Sequence, residues 1–125
     1  MLVYLASPYS KFPGGRQQAY YLACKKAAEL MLKGNNIFCP IAHSHPIEEC
    51  MDERQSGDWW LKQDFEILKH CNELWVYQLP GWASSHGVLA EIKFAKWESI
   101  PVKYIPYETE EQQQLKLFED VQQSG

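Results

Sequence analysis

Four short strand-like runs, Leu2–Ala6, Asn36–Cys39, Leu74–Tyr77 and Val102–Ile105, are separated by stretches with helical periodicity. This alternation constrains the fold more than any other feature of the chain. A strand that reaches its neighbour through a helix makes a right-handed crossover, which leaves the two strands parallel. Parallel sheets are covered on both faces, so their strands read as nearly continuous apolar runs, as Leu2–Ala6 does. The expected fold is α/β: a Rossmann-like or flavodoxin-like three-layer arrangement around a mostly parallel sheet of four or five strands. At 125 residues the chain has room for one hydrophobic core, hence a single domain over residues 1–125.

The helical stretches can be placed from their stripes and stops. Ala19, Leu22, Ala23, Ala27, Leu30 and Met31 recur at helical spacing after Pro13-Gly14-Gly15, and Gly34-Asn35 supplies a stop, giving a helix over about Arg16–Lys33. Asp58 is a candidate cap for a helix running to about Cys71, and Ser84 or Ser85 for one ending near Trp97. A polar helix is expected over Glu108–Gln122. The segment Pro40–Gly57, with two prolines among its first seven residues, reads as a long loop. In open parallel sheets ligands bind beyond the C-terminal ends of the strands, where the strand order reverses. The loops expected there are Ser7–Gly15, Pro40–Gly57 and Leu79–Gly87.

Twelve Lys and Arg against sixteen Asp and Glu give a net charge of −4 and no basic stripe, which argues against duplex nucleic acid as a partner. No apolar run approaches the roughly 18 to 20 residues of a membrane span, and the opening MLVYLAS lacks the features of a signal peptide. A cytoplasmic protein without membrane contact is expected. Cys24, Cys39, Cys50 and Cys71 form no CxxC pair and read as reduced thiols. P-loop, G-x-G-x-x-G and G-x-S-x-G motifs are all missing, which removes the sequence grounds for kinase, dinucleotide-binding and serine-hydrolase chemistry.

Two carboxylates stand where leucines belong. The stripe Leu61, Asp64, Phe65, Leu68 has the i, i+3, i+4, i+7 pattern of a buried helix face, and Val88, Glu91, Ile92, Ala95 repeats it. An inward carboxylate must be paired, protonated, or placed at a cavity that uses it. Both helices flank the third strand, so their acids can meet at one cavity, one as nucleophile and the other as general acid. An ordinary alternative is that either acid snorkels to water or pairs with a lysine. Gly87 lies one turn before Glu91, and the Ser84-Ser85-His86-Gly87 run opens a helix, a plausible anion cradle or simply a serine cap. His43 and His45 are expected at substrate rather than at zinc, because no second ligand pair at standard spacing follows them. Trp82, beside the expected cavity, is a candidate to stack on a flat base.

The segments YLASPYS, GGR at residues 14–16, Asp64 and Ser85-x-Gly87-Val88-x-x-Glu91 together resemble the nucleoside 2-deoxyribosyltransferase superfamily, in particular its 2'-deoxynucleoside 5'-monophosphate N-glycosidase branch. The resemblance covers about Leu2–Val102. It implies cleavage of an N-glycosidic bond, by hydrolysis or transfer, through a covalent glycosyl-glutamate intermediate and without metal or cofactor. By the same resemblance Glu91 is the nucleophile, Asp64 delivers the proton, Tyr4 positions Glu91, and Ser85 with the backbone at Gly87 holds a 5'-phosphate. The N-glycosidases carry an arginine two residues after the position of Ser7, where this chain has Tyr9, so the phosphate clamp is either incomplete or rebuilt by Arg16 or Lys11. The expected binding set is therefore Ser7, Tyr9, Arg16, His43, His45, Trp82, Ser85 and Gly87, facing a nucleoside or nucleotide. A homodimer or homotetramer is also implied. The alternative is a nucleotide-binding or sensing module that uses the same cavity without turnover.

Overall fold

The computed structural model describes residues 1–124, with side chains through residue 119. Its strands are β1 (Leu2–Ala6), β2 (Asn36–Phe38), β3 (Glu73–Gln78) and β4 (Val102–Pro106); its α-helices are α1 (Arg16–Leu32), α2 (Pro40–Glu49), α3 (Gly57–Leu68), α4 (His86–Trp97) and α5 (Glu110–Ser124). The strands form one all-parallel sheet in the order β2-β1-β3-β4. The fold is a three-layer α/β arrangement of the Rossmann or flavodoxin-like kind. The chain passes from β1 outward to β2 and then returns to pair β3 on the other side of β1, so the crevice for a ligand opens beyond the ends of β1 and β3.

β1 is central and buried from Val3 to Ala6. Its alternation sorts the core into two halves. Val3 and Leu5 face α1 and α2, where they join Ala23, Ala27, Ile37, Ile41 and Tyr77. Tyr4 and Ala6 face α3 and α4, among Leu68, Leu74, Val76, Val88, Ile92 and Ala95. Tyr4 is thus a polar-tipped residue on the strand face that the two acid-bearing helices cover. Cys39 and Cys71 are buried, Cys24 is half-buried, Cys50 is exposed, and all four are unpaired.

Two local expectations are corrected. Residues 40–49 are helical rather than a loop, and the irregular segment shrinks to residues 50–56. Pro40 stands at the first helical position, where no N–H is needed and its fixed φ suits the helix. Pro46 removes one further internal donor, which this ten-residue helix tolerates. The cap of α3 is Ser56, whose Oγ accepts from Trp59 N at 3.1 Å, and not Asp58. Asp58 occupies the first turn, where the helix dipole favours an acid, and α3 ends at Leu68, short of Cys71. Ser85 caps α4 by accepting from Val88 N at 3.3 Å.

Candidate functional site

A cavity of about 210 Å³ opens at the switch point between β1 and β3. Its walls come from the end of β1 and the following loop (Ser7, Tyr9, Lys11), the start of α1 (Arg16), α2 (Pro40, Ile41, Ser44, His45, Glu48), α3 (Trp60, Leu61, Asp64) and the first turns of α4 (Ser85, Gly87, Val88, Glu91). Five parts of the fold, the end of β1 and four helices, therefore converge on one concavity that no single segment encloses.

The two acids do converge there. Glu91 is 5% exposed, and the hydroxyl of Tyr4, which is fully buried, donates to its Oε2. Burial pushes the Glu91 carboxyl up to about 8; the hydrogen bond from Tyr4 opposes this and the negative charge of Asp64 adds to it. Burial likewise pushes Asp64 up to about 6, opposed by a hydrogen bond with Tyr4. The Tyr4 phenol itself is raised well above its ordinary value by burial and by the two carboxylates, so it remains a donor at physiological pH. A phenol thus links two carboxyl groups that hold their protons unequally. Near neutral pH the pair carries one proton, and the more deeply buried Glu91 is its resting site.

The cavity wall on the α1–α2 side is a second polar network. His45 Nε2 lies 3.2 Å from Gln17 Oε1 and 3.3 Å from Glu49 Oε1, so this nitrogen carries a hydrogen. Nδ1 of the same ring is hydrogen-bonded to the Tyr9 hydroxyl. The ring stacks on Tyr20 at 4.2 Å between centroids. Burial raises the Tyr9 phenol above its ordinary value, with Glu48 adding to the effect.

The rim also holds Glu48, Arg54 and Trp60, which lie outside the expected binding set. Glu48 Oε2 accepts from Trp60 Nε1 at 2.6 Å, and its Oε1 lies 3.3 Å from Arg54 Nε, closing the rim between α2 and α3. The signal that would have found Glu48 is its place two turns after the cavity residue Ile41 on one helix face, invisible while residues 40–57 were read as irregular.

Two expected binding residues lie elsewhere. His43 packs against Phe38 at 5.7 Å and does not line the cavity, because the helical geometry of α2 turns it about 160° away from His45. Trp82 is directed to the far side of its loop. Gly81 adopts a left-handed conformation (φ 93°) that starts a 3₁₀ turn over Trp82–Ser84, and the indole packs on Tyr104 at 5.6 Å. Of the loop after β3 only Ser85, His86 and Gly87 reach the cavity. A Cβ at Gly87 would meet nothing within 4 Å, so the missing side chain leaves open space there. Among the described residues, no cluster of three or more His, Cys, Asp or Glu is gathered as a metal site. Among them also, no helix is long and apolar enough to cross a membrane.

Fold and site together define an open-sheet α/β protein with a ligand cavity at its switch point and a phenol-linked carboxyl pair in that cavity. The chain belongs to the family described as Domain of unknown function (DUF1937), whose sequence profile matches residues 1–106, a span that holds the whole sheet, α1 to α4 and every residue of the cavity. Comparison with the curated proteins gives no match.

Proposed function

We propose that this chain is a cytoplasmic enzyme that cleaves the N-glycosidic bond of a nucleoside or nucleoside 5'-monophosphate by a retaining double displacement, working as a homo-oligomer. The observation that carries this reading is the Tyr4-linked pair of Glu91 and Asp64 inside one cavity. Two carboxyl groups with unequal proton affinity are what such a reaction needs. The Glu91 carboxylate attacks the anomeric carbon, the bond from that carbon to the base nitrogen breaks with its electron pair going to the base, and Asp64 gives that nitrogen a proton. A glycosyl ester of Glu91 results. In the second half Asp64, now ionised, takes a proton from water, which adds to the anomeric carbon and releases Glu91; a free base in place of water gives transfer instead of hydrolysis.

The resting proton sits on the wrong acid for this sequence. Attack requires Glu91 ionised and Asp64 protonated. The Tyr4 hydroxyl is hydrogen-bonded to Glu91 and lies near enough to Asp64 to lower its carboxyl, which offers a path between them. Burial raises both carboxyls, so the two compete for the proton and the transfer runs between groups of shifted, comparable affinity. The growing positive charge on the sugar favours the same rearrangement, since it stabilises Glu91 as the anion.

The test is chromatographic. Wild type and Glu91→Gln are incubated with ribo- and deoxyribonucleosides and their 5'-monophosphates, with and without an added free base, and released base is quantified. Release by wild type and loss of at least about a thousandfold in the variant is the expected result. A second reading, a binding module without turnover, is favoured by the resting protonation of Glu91, which leaves the nucleophile neutral. Recovery of intact nucleotide after tight binding to wild type would decide for it.

A further inference from the structure

On the α1–α2 side, one imidazole bridges solvent and the cavity. The His45 side chain is 11% exposed, and Glu49, beyond its Nε2, is 68% exposed. Nε2 faces two acceptors, Glu49 Oε1 at 3.3 Å and Gln17 Oε1 at 3.2 Å, so when the ring has a single hydrogen it belongs there. The stack on Tyr20, with ring planes 18° apart, holds the imidazole with Nδ1 on the Tyr9 hydroxyl. Tyr9 lines the cavity, and among the described residues this is the one hydrogen bond of its hydroxyl. Burial keeps that phenol protonated, so it has a hydrogen to direct and lone pairs to offer.

The direction of that hydrogen follows from the state of the ring. With one hydrogen, on Nε2, the imidazole offers a lone pair at Nδ1; the phenol turns its hydrogen to the wall and shows the cavity only oxygen lone pairs. With two hydrogens the ring donates from Nδ1, and the phenol must turn its own hydrogen away from the wall. Two hydrogens aimed at each other would repel, so the two groups switch together. The titratable and charged groups around the ring come from three parts of the fold. Tyr9 is on the loop after β1. Tyr20, which is hydrogen-bonded to Cys24, is on α1, together with Arg16, whose guanidinium lies 5.5 Å from the Tyr9 ring centroid. Glu48 and Glu49 are on α2.

We infer that Tyr9 reads the hydrogen-bonding sense of the ligand and that His45 sets it: the neutral ring selects a ligand with an N–H at this wall, the charged ring a ligand with a carbonyl oxygen there. For a nucleobase this separates the amino bases, adenine and cytosine, from the oxo bases, hypoxanthine and uracil. The ligand class rests on the proposed reading, and the gate itself does not. An arginine, which the resembled N-glycosidases carry at the position of Tyr9, only donates and has no sense to reverse, so the reversal belongs to the point where this chain departs from them. By linkage, an oxo base bound at Tyr9 holds the second hydrogen on His45, and an amino base releases it.

Calorimetric titration across the range in which imidazoles titrate, about pH 5.5 to about pH 8.5, tests the assignment. The protein carries Glu91→Gln, which removes the proposed nucleophile, and the probes are two pairs: deoxyadenosine with deoxyinosine, and deoxycytidine with deoxyuridine. From the alkaline to the acid end, the affinity of each oxo probe relative to its amino partner should rise at least about tenfold, the worth of a mismatched buried hydrogen bond. Tyr9→Phe or His45→Gln, added to that background, should hold the ratio within about twofold, although Asp64 still titrates in each. A ratio flat in the parent protein, or one that changes equally in Tyr9→Phe, overturns the inference. NMR of the histidine ring nitrogens, with His45 assigned from the His45→Gln variant, tests the gate without ligand. The neutral ring should carry its hydrogen on Nε2 and gain a second on Nδ1 within the same range; a neutral ring protonated on Nδ1, or a ring that keeps one state throughout, overturns the gate. If none of the four probes binds, the nucleobase class falls together with the proposed reaction, and the NMR result tells that failure from a failure of the gate.

Discussion

Glu91→Gln should flatten the pH dependence of stability while leaving the fold in place. Burial lifts Glu91 from its ordinary 4.5 to about 8. Between those values the folded protein keeps a proton that the unfolded chain has released. Stability from this group is therefore complete below about pH 4.5 and is lost as pH rises to about 8. At about 1.4 kcal/mol per pH unit, the whole climb is worth about 5 kcal/mol, and water reaching Glu91 through the cavity reduces this to about 3 to 5 kcal/mol. For a domain whose total stability is about 5 to 15 kcal/mol, that is a large share.

Glutamine keeps the shape of the side chain and an oxygen that can accept from Tyr4, but has no proton to lose. Urea unfolding followed by tryptophan fluorescence, at one-unit steps from pH 5 to pH 9, measures the difference. At pH 5 the two proteins should agree to within about 1 kcal/mol, and at pH 9 the variant should be the more stable by about 3 to 5 kcal/mol. Asp64 titrates in both proteins, so the difference curve isolates Glu91. Parallel curves over the whole range would refute the claim that burial holds a proton on Glu91, and with it the account of where the proton rests.

Further consequences follow from other contacts. Gly87→Ala adds a methyl group to open cavity space on a helix, so it should stabilise the fold by up to about 1 kcal/mol in thermal unfolding while weakening ligand binding or turnover. Tyr4→Phe removes the hydrogen bond that lowers the Glu91 carboxyl, so in an active preparation the rising limb of kcat/KM against pH should move upward by about one unit; an unmoved limb would take Tyr4 out of the pair's chemistry. Gly81→Ala forces a Cβ to within 2.8 Å of the Lys11 carbonyl oxygen at a left-handed φ, and should cost about 1 to 3 kcal/mol, read as a lower urea midpoint. Leu5→Ala, in the fully buried centre of β1, should cost about 2 to 5 kcal/mol by the same measurement.

Most of the fold was legible because its strands are short, apolar and spaced by helical stripes. β1 and α1 begin at the expected residues, and Ser85 caps α4. Asp64 and Glu91 were legible for a different reason: an acid in a leucine's place on a helix stripe announces itself without any knowledge of its partner. What escaped depends on directions that local pattern does not carry. Pro40 and Pro46 look alike as letters, yet one starts α2 and the other is accommodated within it. The direction of Trp82 follows from a single left-handed residue before it, Gly81, and from the room beside Tyr104. His43 and His45, two residues apart, were read as a pair in a loop; a helix separates such neighbours by nearly half a turn.

The pairing of Tyr9 with His45 was beyond any one-dimensional reading, because the two residues lie 36 positions apart and meet only when α2 folds against the loop after β1. It also alters the weight of the acids. A cavity with only Glu91 and Asp64 would act on a ligand without selecting it, and a wall with only Tyr9 and His45 would select one without acting on it. The chain places the phenol and imidazole at the α1–α2 wall and the carboxyl pair on α3 and α4, across the β1 end that separates the two halves of the core. A ligand held at Tyr9 would leave its remaining atoms to cross the cavity toward Glu91. The neutral resting form of Glu91 fits the same division, since a protonated carboxyl stays uncharged while the ligand is selected and ionises as positive charge develops beside it.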